Sequence, residues 1–271
     1  MSSLGAPSFS KHETRIEYLD RSTAARWPTA LLVYCDTTQF QMWHRFQPRG
    51  RATAAVLDGM HGALRHALMR TNELTLAEPL AEVLSEELDE YPALQIHGRL
   101  AKVGRTSFTV AFAMHGGRDS RLLARLNTVM VCTDAETHTK SVPLPDAAAL
   151  ADLIDESEPA LGRTVPEFVR PPPGAAAWTS TVRQTDCDSF GHVNNALYAL
   201  LCEEARAALA QPGFALAPAV ACGVSYVGQA KPLAPLRVAM HAVGEAVHFE
   251  VRASDEVCAE VVLVTAPTSH L

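Results

Sequence analysis

Two carboxylates separated by one residue stand in the segment VRQTDCDSFGHVNNALY, residues 182–198. The preceding residues, Trp178–Thr185, alternate in the way expected of a strand. If that strand continues, its period of two places Asp186 and Asp188 on one side and Cys187 on the other. The pattern therefore predicts a pair of acids and does not favour Cys187 as a nucleophile.

A glycine follows the two acids, and Gly191 would allow a tight turn into a helix predicted to reach about Leu209. The main-chain N–H groups of Gly191, His192 and Val193 would then lie at a helix N-terminus, where they favour an anion. A carboxylate beside such donors suits ester or thioester hydrolysis, which needs a nucleophile or base and stabilisation of an oxyanion. Asp188 would supply the first part and the three amides the second.

The same spacing also has a purely structural interpretation. Asp186 and Asp188 would cap the following helix, while Asn194 and Asn195 would bond local backbone. His192 as a lone histidine could be a base or a residue accommodated in the fold. Residue types and spacing alone leave the two interpretations open.

The elements that would carry this segment occur twice along the chain. Pairs of landmark residues recur at a nearly constant offset of 140 or 141 positions: Gly50 and Gly191, Pro92 and Pro232, and Gly104 and Gly244. A repeated order at constant spacing predicts two copies of one unit. A proline-rich stretch between about 143 and 176 separates the copies, with a short helix predicted at Asp146–Ile154.

Each copy is predicted to be one long helix against a sheet. The first copy has a helix at 52–70 followed by strands at 107–113 and 126–132. The second has strands at 178–185, 220–227, 236–243, 246–252 and 258–265 around a helix at 191–209, where Glu203 and Arg206 are spaced for an ion pair. Residues 1 to about 36 have no evident counterpart in the second copy.

The segment DCDSFGHVNNALY resembles the active-site signature of hotdog-fold thioesterases of the 4-hydroxybenzoyl-CoA thioesterase type, D-x-D-x-x-G-H-x-N-N-x-x-Y. Seven signature positions are in register. The resemblance implies that Asp188 is the catalytic carboxylate and that the backbone around Gly191 and His192 polarises the thioester carbonyl. It implies site-shaping and substrate-binding roles for four further positions: Asp186, Asn194, Asn195 and Tyr198.

The resemblance also implies an α+β fold of two tandem hotdog domains. Each would be an antiparallel sheet wrapped around a long central helix, and the two would pair as an intramolecular pseudo-dimer. The bounds expected are an N-terminal extension at 1–36, domain 1 at 37–158, a linker at 159–175 and domain 2 at 176–271. In domain 1 the catalytic signature is lost, because Gln47 stands opposite Asp188 and Arg51 opposite His192.

A second acid in domain 1 resembles another type of hotdog site. Asp58 lies eight residues after Gly50, and in that site type the acid is carried within the helix. Asp58 would then contribute to substrate binding at a second site. The competing interpretation, which the spacing favours, is a solvated helix residue.

Composition limits the other classes of function. With 48% hydrophobic and 20% charged residues the chain has the make-up of a folded protein, and its net charge of −7 disfavours nucleic acid. The start of the chain lacks the apolar stretch of a signal peptide and no apolar run could span a bilayer, which predicts a cytoplasmic protein without membrane contact. The six cysteines show no metal or disulfide spacing, so no metal and no cofactor are expected, coenzyme A being part of a substrate.

The sequence and the resemblance therefore predict a hydrolase acting on an acyl-CoA or acyl-carrier-protein thioester. Homo-oligomers of the pseudo-dimer are a further expectation. Two alternatives stay open. One is an enoyl-CoA hydratase or dehydratase on the same fold, although the D-x-N-P-x-H type of context is missing. The other is a non-catalytic protein that binds or senses acyl thioesters, because one fold supports many functions.

Overall fold

The computed structural model describes these parts of the chain: residues 11–15, 67–77, 93–116, 121–134, 136, 140–145, 147–152, 154, 164–188, 191–210, 217 and 219–266. Within them the chain forms ten β-strands, two α-helices and one 3-10 turn. Neither described helix is long and apolar enough to cross a membrane.

The described strands and helices are divided between the two halves of the chain. The first half contains β1 (Lys11–Arg15), β2 (Ala67–Leu76), β3 (Ala93–Val103), β4 (Ser107–Gly116), β5 (Arg121–Cys132) and α1 (Ala147–Ala151). The second half contains β6 (Ala177–Thr181), a 3-10 turn (Gln184–Asp186), α2 (Leu197–Leu209), β7 (Ala219–Tyr226), β8 (Pro235–Val243), β9 (Ala246–Ala253) and β10 (Glu256–Thr265).

All ten strands belong to one antiparallel sheet in the order β1-β3-β4-β5-β2-β7-β10-β9-β8-β6. The strands of the second half, read from its outer edge, follow the order β6-β8-β9-β10-β7. The first half, read from the opposite edge, repeats that order with its own five strands. The two halves meet where β2 pairs with β7, and the register there places Thr71 opposite Ser225 and Thr75 opposite Ala221.

Helix α2 packs on one face of the second half and contacts all five of its strands. Its sequence, LYALLCEEARAAL, consists mainly of good helix formers. The buried positions Tyr198, Leu201, Cys202 and Ala205 recur at helical spacing and lie against the sheet. An antiparallel sheet against a helix is the arrangement expected of the predicted hotdog fold.

An extended segment crosses the opposite face of the sheet, and we refer to residues 164–170 as the strap. Its beginning is held by Glu73 of β2, because Oε1 of Glu73 accepts the main-chain N–H groups of Thr164 at 2.5 Å and Val165 at 2.9 Å. Glu73 alternates with the inward-facing Asn72 and Leu74, so its side chain points away from α2.

The strap then passes over the junction of the two halves towards β9. Val165 lies against Gly223 of β7, where an added Cβ would approach Val165 Cγ1 to 3.1 Å. Further along, the main-chain N–H of Val169 donates to Nδ1 of His248 at 3.2 Å, and the ring of Phe168 contacts the His248 ring edge-on. The strap is therefore packed on the sheet and spans β2, β7 and β9.

The structure confirms most of the predicted strands and the short helix. The predictions at 107–113, 126–132, 220–227, 236–243, 246–252 and 258–265 correspond to β4, β5, β7, β8, β9 and β10. The described cysteines are free, and all of them except Cys187 are buried, as the sequence indicated.

Three local predictions are wrong. The strand predicted at 178–185 ends at Thr181, and the chain then makes a 3-10 turn, so Asp186 and Asp188 are not neighbours on a strand. The predicted helix at 191–209 begins only at Leu197. The last residues of the helix predicted at 52–70 belong to β2, while residues 52–66 lie outside the described residues.

The beginning of the chain has a counterpart after all. β1 pairs with β3 at one edge of the sheet, as β6 pairs with β8 at the other. The absence of a counterpart was inferred from low identity, but pairing at a sheet edge depends on main-chain hydrogen bonds and leaves little trace in residue identity.

Candidate active site

The candidate catalytic residues lie between the 3-10 turn and α2, and we call residues 187–188 and 191–193 the site turn. An isolated antiparallel bridge pairs Cys187 with Val193 at its base. Inside the bridge, Asp188 N–H donates to the carbonyl of His192 at 2.9 Å, and Gly191 N–H donates to the carbonyl of Asp188 at 3.1 Å. Gly191 has φ of 77°, a conformation that side chains disfavour, so glycine suits this position.

The turn brings one carboxylate next to one imidazole. Oδ2 of Asp188 lies 3.5 Å from Nδ1 of His192, and both side chains are only partly exposed, at 24% and 21%. A protonated His192 would form an ion pair with Asp188, and a neutral one could share a proton through the same nitrogen. The structure thus leaves the two groups accessible to a small molecule and to each other.

Asp186 performs a different task from Asp188. It is buried, and its carboxylate accepts hydrogen bonds from the main-chain N–H of Arg183 at 2.9 Å and from the Arg183 guanidinium at 2.9 Å. The carboxylate of Asp186 in turn raises the pKa of Arg183, first through that side-chain hydrogen bond. Asp186 therefore closes the 3-10 turn before the site turn. It does not cap α2, although the structural interpretation of the acids expected this.

Tyr198 anchors the site turn from α2. Its hydroxyl oxygen accepts the main-chain N–H of Ala230 at 3.1 Å, and the carbonyl of Ala230 accepts the N–H of Val193 at 2.9 Å. Tyr198 is 1% exposed, and burial raises its pKa well above the ordinary value, so it stays protonated. The predicted substrate-binding position is thus a buried support of the turn.

Two of the three amides expected to bind an oxyanion already have acceptors. Gly191 N–H donates to Asp188 and Val193 N–H donates to Ala230. They are engaged because residues 191–196 form turns rather than the first helical turn. The expectation of three unpaired amides at Gly191, His192 and Val193 is corrected accordingly.

The two asparagines before the helix differ from one another. Oδ1 of Asn194 accepts the N–H of Ala196 at 2.9 Å, a bond to local backbone of the kind that the structural interpretation predicted. Asn195 makes no hydrogen bond among the described residues and is half-buried. Its main-chain N–H and its side-chain amide are therefore available to a ligand.

Cys187 is unsuited to act as a nucleophile. Burial raises the pKa of its thiol, and the negative charges of Asp186 and Asp188 raise it further. The sequence-based exclusion of this cysteine agrees with its surroundings. Asp58, Gln47 and Arg51 lie outside the described residues, and the described residues contain no cluster of ligands that could hold a metal.

Sequence reasoning missed the contribution of β2 to this region. Asn72 is buried, and its side-chain amide donates to the hydroxyl of Tyr226 at 3.0 Å. The ring of Tyr226 lies edge-on to that of Tyr198, with centroids 6.0 Å apart. An asparagine inside an alternating segment was the available signal, but the helix was predicted to run to residue 70 and residues 71–76 were assigned to no element.

The chain matches solved thioesterases over its whole length. The match to the 12:0-ACP thioesterase from Umbellularia californica covers 96% of this chain and 97% of that one, with a TM-score of 0.69 and 11% identity. It also matches an acyl-ACP thioesterase from Bacteroides thetaiotaomicron, covering 95% of this chain and 97% of that one, with a TM-score of 0.63 and 15% identity. A protein described as an oleoyl thioesterase from Lactobacillus plantarum is similar over 97% of this chain and 98% of that one, with a TM-score of 0.61 and 18% identity.

These likenesses define the class of fold. An antiparallel sheet packed against a helix, shared at full length with these structures, confirms the hotdog fold predicted from the sequence. No protein-family model and no curated protein sequence matches the chain. The likeness therefore stands on the fold, and the activity of this chain has to be argued from its own residues.

Proposed function

We propose that this protein is a hydrolase of acyl thioesters and that Asp188 is its catalytic carboxylate. The observation that carries the proposal is the Asp188–His192 pair, with 3.5 Å between Oδ2 and Nδ1 in a partly exposed turn just before α2. The sequence of this turn matches the hotdog thioesterase signature, and structures with the same fold are described as thioesterases. Fold, motif and accessible carboxylate thus support one reaction class.

The reaction needs only water besides the thioester. In the general-base route, Asp188 takes a proton from water while the water oxygen attacks the carbonyl carbon. The tetrahedral oxyanion then collapses, the C–S bond breaks, and the departing thiolate takes the proton back from Asp188. Alternatively, Asp188 attacks the carbonyl carbon, the C–S bond breaks and the thiolate leaves, so that a mixed anhydride forms. Water then hydrolyses the anhydride to the free acid and the Asp188 carboxylate, and the thiolate takes up the proton released from that water. Neither route requires a metal or a cofactor.

Asn195 is the oxyanion donor that we assign in place of Gly191 and Val193. Its main-chain N–H lies two residues before the first residue of α2 and has no acceptor among the described residues. The positive end of the helix favours a negative charge there. The side-chain amide of Asn195, which is equally without a hydrogen bond among those residues, would contact the substrate near the thioester.

The substrate class we favour is an acyl group carried on an acyl carrier protein, with acyl-CoA as the alternative carrier. Two of the structures that match along nearly the full length are described as thioesterases that act on acyl-ACP. Both carriers present a thioester on the same flexible pantetheine arm, so the chemistry at Asp188 is identical.

The domain arrangement completes the proposal. We infer two hotdog domains, at 37–158 and 176–271 with a linker at 159–175, paired through β2 and β7 into a pseudo-dimer. The matching strand orders of the two halves support this pairing. β1 would then extend the first domain towards the N-terminus. The site built on Asp188 is the competent one, since the first domain lacks the signature.

The decisive experiment is thiol release from a panel of acyl-ACPs and acyl-CoAs by the wild type and Asp188→Asn. We expect turnover on at least one acyl chain and a loss on the order of 10²–10⁴-fold in kcat for the variant. Asp152→Asn, an exposed acid just after α1, is the matched control and should keep full activity. Binding of acyl thioesters without turnover by any form would favour a sensor and reject the hydrolase.

A further inference from the structure

A buried chain of polar contacts leads from the first half of the protein into the second. Thr128 Oγ1 of β5 donates to Oδ1 of Asn72 at 2.7 Å, and Asn72 Nδ2 donates to the Tyr226 hydroxyl at 3.0 Å. Thr128 is 0% exposed and Asn72 is 4% exposed. The Asn72–Tyr226 hydrogen bond crosses the junction between β2 and β7.

The Asn72 side chain is held from several directions. Besides Tyr226 and Thr128, its amide nitrogen lies 3.0 Å from the sulfur of Met69. The amide oxygen of Asn72 accepts a hydrogen bond from Thr128 and the amide nitrogen donates one to Tyr226, so the orientation of the amide is fixed. A buried hydrogen bond of this kind is stronger than one in water, and each partner restrains the next.

The contacts continue from Tyr226 to the site turn. The Tyr226 ring lies edge-on to the Tyr198 ring, and the Tyr198 hydroxyl holds the N–H of Ala230. Ala230 accepts the N–H of Val193, the residue next to His192. Each of these contacts joins two described residues, and the series of contacts ends beside the proposed catalytic pair.

We infer that Asn72 is a positioning residue for the site turn: by fixing the Tyr226 hydroxyl it fixes, through Tyr198 and Ala230, the placement of His192 against Asp188. This inference rests on the proposed thioester hydrolysis. It assigns the first half of the protein a role in a reaction whose acid and histidine both belong to the second half. Asn72 does not touch the reacting atoms and acts through Tyr226.

The test uses the full-length protein with Asn72→Leu, Tyr226→Phe and the double variant. Leucine is similar in size to asparagine, and phenylalanine keeps the ring while removing the hydroxyl. We expect each single variant to lower kcat on the order of tenfold, because small displacements of reacting groups cost rate. KM should change by less than about twofold, and the double variant should be no slower than Asn72→Leu.

Hydrogen exchange of the site turn supplies a readout that does not depend on activity. Peptides spanning residues 187–198 and 228–236 contain the Val193 and Ala230 amides. We expect exchange there to accelerate by roughly tenfold in Asn72→Leu and Tyr226→Phe, as local opening becomes easier. Val262→Ala is the control, since Val262 is buried among strap-side residues on the other face of the sheet. It should lower the Tm without changing exchange of the site turn or kcat.

The outcomes separate this inference from the proposed function. Exchange and kcat that match those of the wild type in both single variants, measured where circular dichroism shows them folded, would overturn the role of Asn72. If exchange of the site turn and kcat change no more in these variants than in Val262→Ala, the role of Asn72 is also overturned, since the changes would then reflect a general loss of stability. A wild type inactive on every thioester, with accelerated exchange in the variants, would reject the hydrolase and support the positioning of the turn. Thr128→Val, which removes only the donor to Asn72, should reproduce a weaker form of both effects.

Discussion

Oδ2 of Asp188 and Nδ1 of His192 lie 3.5 Å apart although neither residue belongs to a helix or a strand. Their proximity is created by the main-chain bond from Asp188 N–H to the His192 carbonyl. The backbone of the turn, rather than the strand predicted before it, therefore determines how the acid and the imidazole face each other. Predictions for the two side chains follow from this geometry.

Replacing His192 by glutamine removes the imidazole whose Nδ1 lies 3.5 Å from Oδ2 of Asp188. We expect kcat/KM to fall on the order of 10²-fold, because the imidazole positions the Asp188 carboxylate and a misplacement of a reacting group by about 1 Å can cost this much. Initial rates of thiol release by the wild type and the variant provide the measurement. A variant with the kcat/KM of the wild type would show that His192 does not position Asp188.

Asp186→Asn should reduce stability more than activity. The carboxylate of Asp186 is buried and accepts hydrogen bonds from both the backbone and the side chain of Arg183. Losing the charged acceptor should lower the free energy of unfolding by about 1.5–3 kcal/mol. Denaturant titration measures this loss, and kcat of the folded variant should stay well above that of Asp188→Asn. Equal losses of kcat would assign the two acids a shared chemical role.

The Glu203–Arg206 pair on α2 offers a test of buried charge. Arg206 Nη2 lies 2.7 Å from Glu203 Oε2, and both side chains are at most 7% exposed. Arg206→Met leaves the Glu203 carboxylate without this guanidinium and should destabilise the protein by about 3–5 kcal/mol. Glu203→Leu combined with Arg206→Met should recover most of that loss, which urea unfolding of the three variants would show. A double variant as unstable as Arg206→Met would contradict the explanation.

The strap makes stability depend on pH through His248. Burial lowers the pKa of His248 below its ordinary value of 6.5, and the neighbouring His241 lowers it further. The unfolded chain takes up a proton below about pH 6.5 that the folded protein resists, so the free energy of unfolding decreases as pH falls from 7 towards 5.

The contacts between His248 and the strap explain this pH dependence of the free energy of unfolding. Neutral His248 accepts the Val169 N–H and faces Phe168 and His241, with Glu250 and Arg170 forming an ion pair at 3.0 Å nearby. His248→Gln keeps a hydrogen-bond acceptor but does not titrate. Urea midpoints from pH 7 to 5.5 should therefore fall less steeply in the variant. Parallel curves for the two proteins would assign the pH dependence to other groups.

Elements with strong periodicity were predictable from sequence, and the site turn was not. β4, β5 and β7–β10 alternate or are rich in β-branched residues, so their existence followed from local pattern. The segment from Gly191 to Ala196 consists mainly of weak helix formers, so the helix predicted there had little local support. The segment is held as turns by the Cys187–Val193 bridge and by Ala230, which lies far along the chain.

The motif singled out Asp188 and His192, and the structure places their side chains 3.5 Å apart, while the catalytic role of Asp188 stays a prediction. Spacing alone did not separate Asp188 from Asp186, because the difference lies in the burial of Asp186 and in its Arg183 contacts. Asn72 was not singled out because the first residues of β2 were assigned to a helix and the rest to no element, and only the pairing of β2 with β5 and β7 places its amide at the junction.

The pairing of β2 with β7 also sets an order of events during synthesis. Asn72 and its partner Tyr226 are 154 residues apart, so β2 emerges from the ribosome long before the strand that covers it. At about 5–20 residues per second this interval is on the order of ten to thirty seconds. Throughout it, β2 is an open strand edge able to pair with another nascent copy. The rate of translation between the two strands thus becomes a determinant of whether this chain pairs with itself or with its neighbour.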